Sequence, residues 1–336
     1  MVRIDLPPYP NGWFAVGTSE DVPRGGVVTR RYFGEELVLF RDVGDRIQVL
    51  DAHCAHLGAH LGDGAVGADG CLVCPFHGWR WSGNGTCVGM PYGNRVPPAA
   101  RIRSWPAVEQ DGVVLVWHDS SGIAPHWEMP TFGDRRWTAT RSMRRTIRTH
   151  PQEVLENTVD FAHFRFIHET HVMRPTAEPR IEGPTFELWI ECDPEAVEPG
   201  LRLPPGDFLP EGSTFDHGPG LAGATITGKG SPVQVLQRLY ATPVDGELVD
   251  LLGVVSIAID DGFAEADALA VAEQVSEAVF QNWDLDIPIW ERKRYQPRPV
   301  LNATEKLIPV FRRWYSQFYD PIPTEAAARE LAGAGS

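Results

Sequence analysis

The sequence predicts an α+β chain of two units: an all-β unit at the N-terminus, followed by one in which an antiparallel sheet is flanked by helices. Three observations predict it. The length of 336 residues exceeds that of a usual single domain. Short β-type runs punctuated by glycine extend from Trp13 to about Asp119. Beyond a Pro- and Gly-containing stretch, alternating segments mix with two segments of helical character. The boundaries fall at 1–119 for the first domain, 120–136 for a linker and 137–336 for the second domain.

In the first unit, Val27 to Tyr32, Glu36 to Phe40, Ile47 to Leu50 and Gly112 to Trp117 read as strands. Ser120 to Arg136 has no periodicity and reads as the connection. Thr149 then offers a cap to a helix with Pro151 in its first turn and Glu153 near its positive end, running to about Phe164. Alternation at Phe186 to Ile190, Ala222 to Thr227, Val233 to Tyr240 and Leu248 to Ile257 marks antiparallel strands with one buried face. Asp193 to Gly220, dense in Pro and Gly, reads as a long loop, either a pocket lid or an insertion. Ala268, Val271, Ala272, Val275 and Val279 recur at helical spacing and place a second long helix over Ala264 to Trp283.

An apolar fraction of 43% with 22% charged residues is enough to build a core. The net charge of −15 repels a phosphate backbone, and no basic stripe interleaved with aromatics offsets it, so nucleic acid is excluded as a partner. The one basic run, Arg141, Arg144, Arg145 and Arg148, reads as a solvated or salt-bridged face. Met1 to Pro10 has no apolar core of a signal peptide. Apolar runs such as Leu251 to Ile259 are too short to span a bilayer, which takes ~20 residues. The expectation is a cytoplasmic protein without a transmembrane segment. Five cysteines, an odd number gathered mainly between Cys54 and Cys87, point to metal binding rather than disulfides.

The first metal constellation is Cys54, Ala55, His56, then seventeen residues, then Cys74, Pro75, Phe76, His77. Each pair places one thiolate and one imidazole on a loop. A Rieske [2Fe-2S] centre needs two thiolates on one iron and two imidazoles on the other, so two such loops clamp one cluster. Gly58, Gly62, Gly64, Gly78 and Gly83 allow the tight turns of a clamp. A structural zinc held by Cys54, His56, Cys71 and Cys74 is the competing reading.

The second constellation is Asp160, His163 and His168. On a continuous helix, five residues turn about 500°, which would leave the two imidazoles roughly 140° apart. The helix must therefore end or bulge between them if both bind one metal. Two histidines and one carboxylate leave coordination positions open, as Fe(II) requires to activate O2. The carboxylate must come from elsewhere in the chain. Asp286, just past the second long helix, is the first choice and Asp284 the fallback.

These residues carry a resemblance. The run from Cys74 to Trp81, CPFHGWRW, with Gly83, Asn84, Gly85, Pro91, Tyr92 and Arg95 to Pro98, resembles the Rieske domain of the 3-ketosteroid 9-alpha-hydroxylase oxygenases. Asn157, Asp160, His163 and His168 fall on the N-x2-D-x2-H-x4-H pattern of those Rieske non-haem iron oxygenases, and Asp286 on the acid of their D-x2-I-W-x2-K segment. The run Arg312 to Tyr319 is similar to their C-terminal signature, which the membrane-tethered cholesterol 7-desaturases share. The resemblance covers about Gly12 to Tyr319.

It implies a catalytic domain of helix-grip type and a terminal oxygenase. Such an enzyme draws electrons from a separate NAD(P)H-dependent flavin and iron-sulfur reductase, and no flavin or nicotinamide fingerprint occurs in this chain. It also implies a homotrimer in which Asp160 bridges to a neighbour's cluster through His77 and accepts a hydrogen bond from His163. Asn157 is read either as a hydrogen-bonding partner near the iron or as a structural residue. The implied reaction is monooxygenation of a hydrophobic, steroid-like substrate with O2. Desaturation, N-oxygenation and a non-catalytic Rieske electron carrier are the alternatives.

Overall fold

Eleven short strands occupy the first 118 residues: β1 (Gly12–Thr18), β2 (Val27–Tyr32), β3 (Glu35–Arg41), β4 (Ile47–Asp51), β5 (Ala65–Val66), β6 (Leu72–Val73), β7 (Arg80–Trp81), β8 (Cys87–Gly89), β9 (Ser104–Trp105), β10 (Ala107–Gln110) and β11 (Val113–His118). They form three antiparallel sheets, ordered β1-β11-β10, β2-β3-β4-β9 and β5-β6-β7-β8. The computed structural model describes residues 3–93, 95–133, 135–168, 173–192, 210–229, 231, 233–259 and 265–319.

Alternation in β3 explains how the small sheets share cores. Leu37 and Leu39 face Phe14, Val49 and Val114, whereas Val38 and Phe40 face Leu50, Leu72 and Trp81 under the cysteine loops. All four β3 side chains are buried, and each contributes on the order of 1.5–3 kcal/mol through removal from water.

The second unit begins with β12 (Arg141–Arg148), α1 (Pro151–Leu155) and α2 (Ala162–Phe166). It continues with β13 (Met173–Pro175), β14 (Arg180–Glu182), β15 (Thr185–Cys192), β16 (Pro210–His217), β17 (Leu221–Gly228), β18 (Gln234–Pro243) and β19 (Leu248–Ile257). Two helices close it, α3 (Glu265–Arg292) and α4 (Leu307–Tyr315). The eight strands make one antiparallel sheet, β12-β19-β18-β17-β16-β15-β13, with β14 beside β15. One face packs against α1, α3 and α4 through Leu188, Leu239, Leu251, Trp290, Phe311 and Trp314. The other receives β1 and β11, where Trp13, Leu115 and Trp117 meet Tyr240, Leu252 and Val254. Trp127 of the connecting stretch packs at both cores, and its carbonyl accepts the Trp13 indole hydrogen at 2.9 Å. No helix among the described residues is long and apolar enough to cross a membrane.

Three expectations are corrected. The helix after Thr149 is capped by His150, whose Nδ1 accepts the Gln152 N–H at 3.1 Å, and it stops at Leu155 instead of Phe164. The second helix does not end at Trp283 but runs through Pro288 to Arg292, so Asp286 lies inside it. The supposed loop from Asp193 to Gly220 contains β16, and residues 193–209 lie outside the described residues. The basic run is a salt-bridged face, as expected: it forms β12, with Arg141, Arg144, Arg145 and Arg148 paired to Glu273, Asp21, Asp284 and Glu247.

The cap carries a testable consequence. His150 is buried, and its Nδ1 accepts while its Nε2–H donates to the Pro7 carbonyl at 3.0 Å, which defines a neutral ring. Burial lowers its pKa from 6.5 to about 4, with the Pro7 bond opposing. A folded pKa below the unfolded one gives stability that is complete above pH 6.5 and lost as pH falls towards about 4. Denaturant titrations should show a loss of on the order of 3 kcal/mol over that window. His150→Asn should remove that contribution, and an equally steep pH dependence in the variant would contradict it.

Candidate cluster and metal centres

The two cysteine loops are built alike. Cys54 N–H donates to the Ala59 carbonyl at 2.9 Å, and Gly58 N–H returns to the Cys54 carbonyl at 2.9 Å. Cys74 N–H donates to the Trp79 carbonyl at 2.8 Å, and Gly78 N–H returns to Cys74 at 3.0 Å. This turn needs a left-handed residue at its fifth position, and Gly58 (φ +75°) and Gly78 (φ +71°) supply it. The loops thereby bring Cys54 and Cys74, both buried, into thiol–thiol contact. Burial pushes the Cys54 thiol up, the His56 backbone N–H opposes, and the Cys74 thiol adds to the rise.

The imidazoles meet in the same way. His56 and His77 have ring centroids 4.7 Å apart, and His56 lies flat on Trp79, 4.5 Å away and tilted by 8°. Trp79 is anchored by donating its indole hydrogen to the Tyr92 hydroxyl at 2.9 Å. The Nδ1 of His56 is buried and has no partner. Two facing thiols, two facing imidazoles and an unsatisfied ring nitrogen fit a cluster with mixed ligands. The zinc quartet is not assembled, since the charged and polar neighbours of Cys71 are Asp69, Arg80 and Cys87.

The second centre depends on a broken helix. After α1 the chain makes a single 3-10 turn over Glu156–Thr158, then α2 ends at Phe166. His168 therefore escapes the helical phase of His163, and the rings come to 5.1 Å between centroids. Donor atoms of His163, His168 and Asp286 all lie within 4.8 Å of one another, and His168 Nε2 is 3.5 Å from Asp286 Oδ2.

Asp286 arrives there because it falls on the buried stripe of α3, which includes Ala268, Ala272, Ser276, Val279 and Trp290. The small residues let that helix lie close to the sheet. A side chain at Gly253 of β19 would stand 2.4 Å from the Trp283 ring. Asp284 points elsewhere and forms a two-pronged pair with Arg145 at 2.9 and 3.0 Å. The fallback carboxylate is thus not brought to the histidines.

The electrostatics call for a cation. Burial raises Asp286 to about 7, the charge of Asp160 adds to it, and an Asn157 hydrogen bond opposes. Burial lowers His168 to about 4, with His163 adding, and burial also lowers His163. The Nδ1 of His168 is buried without a partner. His163 Nδ1 is bonded to the main-chain carbonyl of Asp160, leaving Nε2 with its lone pair available. The expectation had the Asp160 carboxylate in that place. The Trp290 indole donates to Asn157 Oδ1 at 3.4 Å, so the amide hydrogens of Asn157 are free to face Asp286. Neutral imidazoles and a carboxylate with no partner cation fit a divalent metal with open positions.

A cavity of about 310 Å³ lies between these residues and strands β16–β18. Its walls are mainly apolar, with Val154, Met173, Ile190, Leu239, Val279 and Trp283 among them. Thr214, Gln237 and Asn282 also line it, and the buried Thr214 hydroxyl has no partner. None of these three was singled out by the sequence: Thr214 fell in a segment read as a loop, Asn282 in a helix, and alternation placed Gln237 on a strand without showing that its face met a cavity. Another donor group, Glu36, His53 and His60, lies on the first unit. There His60 Nδ1 accepts the Gly62 N–H at 3.0 Å, so Nε2 carries the hydrogen and offers no lone pair to a metal.

A clamp for a [2Fe-2S] cluster ahead of a two-histidine, one-carboxylate group beside an apolar cavity defines a Rieske-type oxygenase. Residues 12–106 match the Rieske [2Fe-2S] domain and residues 116–319 match the 3-ketosteroid 9alpha-hydroxylase C-terminal domain. The chain belongs to the family of those hydroxylases. A probable 3-ketosteroid-9-alpha-monooxygenase oxygenase component of Rhodococcus rhodochrous is 31% identical, over 95% of this chain and 82% of its own length. Cholesterol 7-desaturase nvd 1 of Ciona intestinalis is 32% identical, over 94% and 70%. The fold is that of dicamba monooxygenase bound to dicamba, with a TM-score of 0.72 at 19% identity, covering 96% of this chain and 98% of that one.

Proposed function

We propose that the chain is the terminal component of a monooxygenase that inserts one oxygen atom of O2 into a C–H bond of a hydrophobic, steroid-like substrate. The observation that carries this reading is the convergence of His163, His168 and Asp286 on the wall of an apolar cavity. In it, Cys54, His56, Cys74 and His77 hold the [2Fe-2S] cluster, and His163, His168 and Asp286 hold Fe(II). When bound, these groups supply electron storage and O2 activation. The relatives include oxygenase components, so the electrons come from a separate reductase.

The protein's own residues do the remaining work. Asn157 orients Asp286 through its amide, and Asp160 fixes the ring of His163 through its carbonyl. The apolar walls exclude water and select an apolar substrate, while Thr214, Gln237 and Asn282 offer it hydrogen bonds. The carboxylate of Asp160, half-buried, is left to accept a hydrogen from His77 of a neighbouring copy in a homotrimer.

The substrate reading is tested by supplying a surrogate NAD(P)H-dependent reductase and a panel of steroids. Oxygen consumption should rise with a binding member, and its product should carry one atom from labelled O2. Uptake indifferent to every apolar compound, or a dehydrogenated product without label, would contradict monooxygenation. The cluster assignment has its own test in His77→Cys. A thiolate in place of an imidazole adds negative charge, so the midpoint potential should fall by on the order of 100 mV and the paramagnetic resonance of the reduced cluster should change. An unaltered spectrum would exclude His77 as a ligand.

A further inference from the structure

We infer that Asp216 is a neutral carboxylic acid that positions the turn bearing Asn157 by donating a hydrogen bond to Thr158. The inference rests on the reading of His163, His168 and Asp286 as a metal site. Asp216 stands on β16 within the large sheet with 0% exposure. Its Oδ2 lies 2.7 Å from the Thr158 hydroxyl, while its Oδ1 is buried and has no partner among the described residues.

Two contacts share one hydroxyl hydrogen. Thr158 Oγ1 is also 2.8 Å from the Leu155 carbonyl. A hydroxyl has one hydrogen and a carbonyl can only accept. Both contacts are hydrogen bonds only if Asp216 supplies the second hydrogen; an ionised Asp216 would take the Thr158 hydrogen and leave the Leu155 contact unmade.

The surroundings agree. Across the strands Asp216 faces Phe186 and Ala222. From α4 comes Tyr315, whose hydroxyl donates to the Pro219 carbonyl at 2.8 Å. The next residue, His217, points to the opposite face of the sheet and bonds Thr185 and the Glu128 carbonyl. No cation among the described residues offsets the burial. Burial pushes Asp216 well above the usual carboxylate range, and the hydrogen bond that Thr158 would donate to the ionised form opposes only in part. A charged carboxylate here would be desolvated without compensation, whereas a neutral acid leaves only a weak carbonyl acceptor unpaired.

Thr158 lines the cavity and follows Asn157, whose amide faces Asp286. Fixing Thr158 to the sheet therefore fixes the approach of Asn157 to the metal-binding carboxylate. A proton relay through Thr158 into the cavity is the rival role. It is disfavoured because each transfer would leave the uncompensated carboxylate just described. Positioning needs the donor and the neutrality of Asp216, not a mobile proton.

Asp216→Asn keeps both, and Asp216→Ala removes the donor. In cluster-loaded protein before iron addition, infrared difference spectra should show a carboxylic C=O stretch that is absent from Asp216→Asn. In the unaltered chain it should be present at neutral pH, where an ordinary carboxyl is ionised. Co(II), as a probe of the mononuclear site, should bind Asp216→Asn within about twofold of the unaltered chain and Asp216→Ala about tenfold more weakly. Equal weakening in both variants, no weakening in Asp216→Ala, or absence of the band at neutral pH would overturn the inference. So would an Asp216→Asn that binds Co(II) normally yet has lost turnover, which is the signature of a relay. The infrared band needs no metal, so failure of the unaltered chain to bind Co(II) would count against the metal-site reading, and the band alone would decide the protonation.

Discussion

Asp286→Ala is expected to empty the mononuclear site while leaving the cluster's visible spectrum intact. Asp286 is the only carboxylate within 4.8 Å of both histidine donors among the described residues, and its side chain is 7% exposed. Removing it takes away the one carboxylate among the described residues that stands beside both histidine donors. Turnover should fall more than about a hundredfold, since loss of a group that merely supports a ligand already costs 10–100-fold. The control is Asp284→Ala, two residues away. Its pair with Arg145 is partly exposed, so that change should cost no more than about 1 kcal/mol and spare the metal. Full iron occupancy in Asp286→Ala would remove the assignment.

Arg312→Ala should produce the largest loss of stability. Arg312 on α4 grips Glu156 with two bonds, one of 2.7 Å between Nη2 and Oε1, and the Glu156 side chain is 8% exposed. Glu156 opens the turn that carries Asn157 and Thr158. Truncating the arginine leaves a carboxylate buried without its partner, which costs about 3–5 kcal/mol. Lysine cannot reproduce the two-pronged geometry, so Arg312→Lys should recover only part of it. Urea unfolding of the two variants beside the unaltered chain measures this. A loss below about 1 kcal/mol, the value of an exposed pair, would show that the contact carries little.

The turns of the two cysteine and histidine loops were legible because their geometry is local: in each, the cysteine, the histidine and a left-handed glycine lie within five residues. The need for a break between His163 and His168 was legible as well, from helical phase alone. The position of that break was not. His150 displaced Thr149 as the cap because its ring also reaches the Pro7 carbonyl, 143 residues away in sequence.

β16 was hidden by Pro210 and Gly212, which read as loop residues. Gly212 serves the strand, since a Cβ there would stand 1.9 Å from the Thr225 carbonyl oxygen. α3 passed its expected end because Trp290, 2% exposed, continues the buried stripe beyond Pro288. β12 was masked by four arginines whose partners lie on α3, in the first unit and near the end of β18. In each case a contact distant in the chain outweighed the local preference.

Two iron stations in one polypeptide distinguish an oxygenase from an electron carrier with the same N-terminal clamp. The most direct measurement is the ratio of iron to acid-labile sulfide in anaerobically reconstituted protein. Three irons to two sulfides per chain, with the third iron lost in Asp286→Ala, is the predicted result. Two irons to two sulfides in the unaltered chain would contradict it.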